Sequence, residues 1–164
     1  MKSFLNSLPK AFLGLVLAFF SLVAILFSGV VFFFWPTFLN DKVLELSPEV
    51  FQKLEALASE SKFFPDPKNF YFGAPNEPIR ANAEFYVNHI INGMGEVIQQ
   101  TPQKSKVLAY LKESLPYFRS FDSEEKDQAL HYLTRLITIV GVDSTEELFN
   151  VWRYGFPFGW FQTS

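Results

Sequence analysis

Asp122–Val142 reads DSEEKDQALHYLTRLITIVGV, and it carries a helix start, a helix period and a helix stop in one short run. Asp122 followed three residues later by Glu125 has the form of a capping box, in which the first side chain holds a backbone N–H and the glutamate reaches back to the cap. Leu130, Leu133, Leu136, Ile137 and Val140 then recur at helical spacing and form a stripe to be buried. Gly141 supplies the left-handed residue that commonly closes a helix, and Val142 is the apolar residue that folds back over such a turn. The segment predicts a helix opened at Asp122 and closed at Gly141.

The same grammar extends in both directions. Downstream, Asp143 or Ser144 caps a short last helix carrying Leu148, Phe149 and Trp152. Upstream, Thr101-Pro102 reads as a cap followed by proline in the first turn, with Leu108, Leu111 and Leu115 inward until Pro116 ends or kinks the helix. Before that, a helix from Pro78 to Gln100 has Ile79, Ala83, Tyr86, Ile90, Met94 and Val97 inward. Gly93 and Gly95 weaken its last third by up to about 1 kcal/mol each relative to alanine, and permit a close helix contact or a kink. Ser47-Pro48 opens the first helix of the domain, with Val50, Phe51, Leu54, Leu57 and Ala58 on one face as far as about Lys62. The intervening FFPDPKNFYFGAPNEP, Phe63–Pro78, holds four prolines that forbid regular helix. With no alternating strand pattern, the fold class is all-α: an irregular four- or five-helix bundle.

The chain before this domain is of another kind. Ala11–Trp35 is 25 residues without a charge; as a helix it reaches about 37 Å, against about 30 Å of bilayer hydrocarbon. A cleavable signal peptide has an apolar region of about 7–15 residues and small residues at its cleavage point. Here Leu22 stands two before Ala24, and Phe27 two before Gly29. The reading is an uncleaved, single-pass signal anchor, with cleavage near Ser28-Gly29 as the alternative. Lys2, Lys10 and the terminal amine precede the span while Lys42 and Lys53 follow it, a small bias that, with the basic character of the short tail, leaves residues 1–10 cytoplasmic. The expected organisation is 11–35 transmembrane, 36–46 juxtamembrane linker and 47–164 helical domain, in a bacterial inner membrane with the domain periplasmic. Gly14, Ala18, Ser21 and Ser28 form a stripe of small residues on which two copies could pack as a homodimer, although Ile25 interrupts it.

Charge narrows the partners. Without Lys2 and Lys10 the chain has 12 basic and 17 acidic side chains, a net −5, and the basic ones are scattered, which disfavours nucleic acid. Zero cysteine means no disulfide framework, thiolate metal site or cysteine nucleophile.

The order RSFDSEEKDQALHYLTRLITIVGVDSTEELFNVWRYGF, preceded by YFGAPNEPIR, resembles a small bacterial family, domain-of-unknown-function family 4844, over roughly Leu46 to Phe156. The carriers are Asp122–Glu125, Val140-Gly141-Val142, the Ser144-Thr145 cap, and Asn150, Trp152, Tyr154, Gly155 and Phe156. The resemblance implies a bacterial source and a helical domain, with no activity to transfer. Where the family form has a second small residue and a glycine after the cap, this chain has Glu146-Glu147.

Chemistry is sparse. His131 lies four residues after Asp127, on one helix face at the spacing of a metal pair, but acidic residues in a helix's first turns commonly face solvent. His89 reads as a border histidine bonded to a carbonyl. No G-x-S-x-G elbow, phosphate loop or H-E-x-x-H occurs, so no catalytic residue, metal or cofactor site is assigned. A carboxylate-dependent hydrolase, with acids such as Glu84 and Glu96 converging in space, is the alternative. The favoured class is a membrane-anchored interaction module: an accessory, inhibitor or immunity-type protein that acts by binding an unidentified protein partner. Its candidate contact residues are Phe70, Tyr71 and Phe72 in the loop and Phe158, Trp160 and Phe161 in the tail, because aromatics dominate interface hot spots. They also dominate cores: core cover is the favoured role of the loop, Trp152–Phe156 closes the core, and Phe158–Phe161 either docks on the bundle or meets a partner or the membrane.

Overall fold

The computed structural model describes residues 10–35 and 41–155, and the chain divides into two compact units, Met1–Trp35 and Pro36–Ser164. The first unit is helix α1, Lys10–Phe34. Its stretch Phe12–Val30 is long and apolar enough to cross a membrane, a property shared by anchors and signal sequences, and none of that stretch is buried. Gly14, Ala18, Ser21 and Ser28 all lie on exposed positions of α1.

The second unit is helical. It comprises α2 (Pro48–Ser59), α3 (Glu77–Gln100), α4 (Lys104–Ser114), α5 (Ser123–Ile139) and α6 (Leu148–Tyr154), with short 3-10 turns at Pro67–Asn69 and Leu115–Phe118. Among the described residues there is no strand beyond isolated bridges. Helix α3 is central, packing on α2, α4 and α5, while α2 also meets α5. That position explains its wide buried face: Ala83, Val87, Ile90, Ile91, Met94 and Ile98 are buried, whereas Tyr86 and Val97 sit at the margin. The helix starts at Asn76, whose side chain accepts from the Ile79 N–H at 3.0 Å. Of the two glycines, Gly93 makes the close contact: a Cβ there would lie 2.1 Å from the Tyr110 hydroxyl of α4, whereas Gly95 faces open space.

The stop of α5 is as the sequence indicates. Gly141 has φ +79°, the Val142 N–H donates to the Ile137 carbonyl at 2.9 Å and the Gly141 N–H to Thr138 at 3.2 Å, the two bonds of a Schellman turn. Its start is not. Asp122 occupies the cap position without a side-chain cap bond, and Glu125 turns inward, 2 % exposed, instead of reaching back. Glu125 lies one turn before Gln128, Ala129 and Tyr132 on the buried face, so tertiary packing claims it.

Two other caps are corrected for the same reason. Thr101-Pro102 does not open α4; Thr101 closes α3 through its N–H to the Val97 carbonyl, and 101–103 run extended against 42–44. The Leu44 N–H donates to Pro102 at 2.8 Å and the Lys104 N–H to Lys42 at 2.9 Å, while the Asp41 carboxylate accepts from both the Ser105 N–H and hydroxyl at 2.8 Å. The cap of α4 is thus supplied from 64 residues away. Likewise, α6 is capped by neither Asp143 nor Ser144. Ser144 accepts from the Glu146 N–H, and Asp143 pairs with Lys42 at 2.9 Å and with buried Lys104 at 3.5 Å. The Lys42 bond foremost holds the Asp143 carboxyl down at about 2. Glu146 and Glu147 then adopt φ of 50° and 64°, a backbone that favours glycine, at the two positions where the family form is expected to be small and glycine. In α6, Leu148, Phe149 and Val151 are buried, whereas Trp152 is half-buried and Tyr154 exposed; core closure falls to the former three, and Phe156 lies outside the described residues.

Candidate binding surface and the buried Tyr71–Glu125 pair

The loop between α2 and α3 is held from both ends. Phe63, at φ 61°, is buried and accepts from the Ala74 N–H at 3.1 Å, and its own N–H donates to the Tyr132 hydroxyl at 3.3 Å. Asp66 and Tyr71 exchange two backbone hydrogen bonds, of 2.8 and 3.0 Å. Inside that turn the Asp66 carboxylate accepts from the Lys68 N–H and the Asn69 amide, which fixes the 3-10 turn and delivers Phe70 in the left-handed region at φ 55°. Arg80, whose guanidinium bonds Glu77, Glu84 and the Lys62 carbonyl, lies 4.7 Å over the Phe64 ring and pins the start of the loop to α3.

Successive side chains here point opposite ways. Phe70 is 89 % exposed and Phe72 87 %, while Tyr71 between them is 6 % exposed. Of the three loop candidates, the structure therefore keeps Phe70 and Phe72 at the surface and puts Tyr71 in the core, as a correction to its grouping with them. The tail candidates Phe158, Trp160 and Phe161 lie outside the described residues.

Tyr71 reaches a polar cluster that sequence reading missed. Its hydroxyl donates to Glu125 Oε1 at 3.3 Å, its ring meets Phe63 edge-on at 6.3 Å, and Gln128 donates to the Tyr132 hydroxyl at 3.3 Å beside it. Lys62, fully buried, places its ammonium 5.8 Å over the Tyr132 ring and donates to the carbonyls of Leu57, Ala58 and Glu60. The signal was a carboxylate, Glu125, at helical spacing from Tyr132 and Leu136 on the apolar stripe. Burial first, and then the adjoining Glu125 carboxyl, push the Tyr71 phenol far above its ordinary value of 10.0. A phenol whose folded pKa is raised contributes stability that is complete below its unfolded pKa and is lost as pH climbs above it. Melting of the full chain should therefore fall more steeply above about pH 10 than melting of Tyr71→Phe; parallel curves from pH 8 to 11.5 would refute this.

Two clefts of about 320 Å³ flank the pair. One lies between the 69–71 turn and α5, lined by Phe70, Tyr71, Glu124, Asp127, Gln128 and His131. The other lies between the starts of α3 and α5, lined by Ile79, Asn82, Ser120, Phe121, Asp122 and Glu125. In the first, Asp127 is engaged by the Arg153 guanidinium at 2.5 and 3.1 Å, and among the described residues no three acid or histidine side chains gather as a metal site. His89 is exposed, its ring stacked on Phe85 at 6.1 Å, and it is its carbonyl that accepts, from the Tyr110 hydroxyl.

A small helical bundle, preceded by one long apolar helix and presenting a fixed aromatic turn over a buried tyrosine–carboxyl pair, is the class these features define. The chain belongs to the family described as Domain of unknown function (DUF4844), whose model matches residues 45–157. A search of the curated proteins and a search of the solved structures each found no match.

Proposed function

We propose that this protein is a membrane-anchored binding module, with α1 as the bilayer span and the helical domain on the periplasmic side of a bacterial inner membrane, acting by contact with a protein partner. The observation that carries the reading is the pair Phe70 and Phe72, held almost wholly in water by a turn that Asp66 makes rigid. Leaving two phenyl rings exposed forgoes about 1.5–3 kcal/mol each relative to burial, and a preorganised turn lowers the ordering cost of burying them against something else. A second aromatic group, Phe85, His89 and Tyr117, lies at the surface of α3 and of the 3-10 turn after α4 and enlarges the apolar area on offer.

The test is capture from detergent-solubilised membranes with epitope-tagged full chain. Phe70→Ser combined with Phe72→Ser should leave melting within about 0.5 kcal/mol of wild type, as exposed positions do, while a protein retained by wild type is lost. Retention at the wild-type level by the folded double variant would remove these residues from the contact.

A further inference from the structure

We propose that the cleft between the starts of α3 and α5 is a binding site for a guanidinium group, with Glu125 as the carboxylate that recognises it. Glu125 is 2 % exposed, and its one hydrogen bond is the Tyr71 hydroxyl on Oε1. The other oxygen has no partner among the described residues. That oxygen is not sealed off as the Asn88 amide oxygen is, and Glu125 is one of the residues that line the cleft. No cation of the described residues pairs with it. A carboxylate held 2 % exposed with a single neutral donor is incompletely compensated, and a ligand that supplies both charge and donors completes the compensation.

The rest of the lining selects the kind of cation. Asp122, which forms no side-chain cap bond, adds a second carboxylate at the rim, and the Asn82 amide and Ser120 hydroxyl add neutral acceptors. A guanidinium has five N–H donors in a planar fork and accepts nothing, so it matches a lining of several acceptors better than a point-like ammonium does. Ile79 and the Phe121 ring offer apolar surface to the aliphatic stem behind such a group. The cleft's volume, about 320 Å³, is at the lower end of what small ligands occupy, and the domain's net charge favours a cation. The site goes beyond the aromatic surface and does not depend on it.

The test uses the full chain in detergent micelles and calorimetric titration with acetyl-Ala-Arg-Ala-amide. The matched peptide with citrulline in place of arginine has the same shape without the charge. The arginine peptide should bind and the citrulline peptide should not, and Glu125→Gln should weaken binding by about tenfold or more, the scale of a lost charged hydrogen bond. Tyr71→Phe removes the internal donor and leaves the carboxylate in place, so it should bind at least as well as wild type, which a merely structural Glu125 would not predict. Equal binding of the two peptides, no binding of either, or wild-type binding by folded Glu125→Gln would overturn the proposal. If Glu125→Gln fails to fold, Asp122→Asn and the citrulline contrast carry the same decision. Agmatine as a third probe separates sources: agmatine binding as tightly as the peptide assigns the site to a small free guanidine, and tighter peptide binding assigns it to a partner's arginine. Because Phe70→Ser with Phe72→Ser should bind the peptide normally, failure of the aromatic contact and failure of this site give different results.

Discussion

Lys62→Met should lower the stability of the domain by about 2–4 kcal/mol, read as a shift of the urea midpoint of the full chain in micelles at unchanged slope. The methionine keeps the length of the stem but removes three donors. The carbonyls of Leu57, Ala58 and Glu60, which accept from the ammonium at 2.6, 3.3 and 2.8 Å, are the unpaired C-terminal groups of α2. Each buried acceptor left without a partner costs about 1–3 kcal/mol. Opposing this, burial foremost already holds the Lys62 ammonium below its ordinary pKa, so removing the charge recovers part of its desolvation. Three carbonyls outweigh one partly compensated ammonium, which sets the sign. An unchanged midpoint would mean that the two effects cancel.

Phe118→Ala should cost about 3–5 kcal/mol, the range of a large core aromatic cut to a methyl. Phe118 is fully buried in the 3-10 turn after α4, with Tyr86 of α3 edge-on at 6.1 Å and Phe121 at 5.9 Å. That turn packs on α3, α4 and α5 at once, so the cavity cannot close by the movement of one helix. Sequence reading gave this weight to Trp152, which the structure leaves half-buried; Trp152→Ala should cost less than Phe118→Ala in the same titration. The reverse order would return the keystone to α6.

What local grammar encodes could be read from the chain. The α5 stop, the long α3 and the all-α architecture depend on residues within a turn or two of one another, and periodicity with glycine or proline punctuation captures them. Two starts were misplaced, and the capping bonds of a third were misread, because the interacting groups come from elsewhere: Asp41 caps α4, Lys42 and Lys104 occupy Asp143, and Tyr71 meets the inward Glu125 of the correctly placed α5 start. The candidate surface was half legible. That the loop carries aromatics was plain; which ring turns in was decided by the Asp66–Tyr71 backbone pairing, invisible without the fold. The cleft beside Glu125 left only one trace, an acid on an apolar stripe.

Tyr71 sits one peptide from each exposed phenylalanine and one hydrogen bond from Glu125. The proposed outer contact and the proposed cleft site therefore share one hydrogen bond. A partner that shifted the 70–72 segment by a fraction of an ångström would change the donor available to the carboxylate, and so would alter the affinity of the proposed cleft site. By the reciprocity of linked equilibria, occupation of the cleft alters the partner's affinity by the same factor and in the same sense. If both proposed contacts exist, one tyrosine hydroxyl would couple them, so that each ligand would report on the presence of the other.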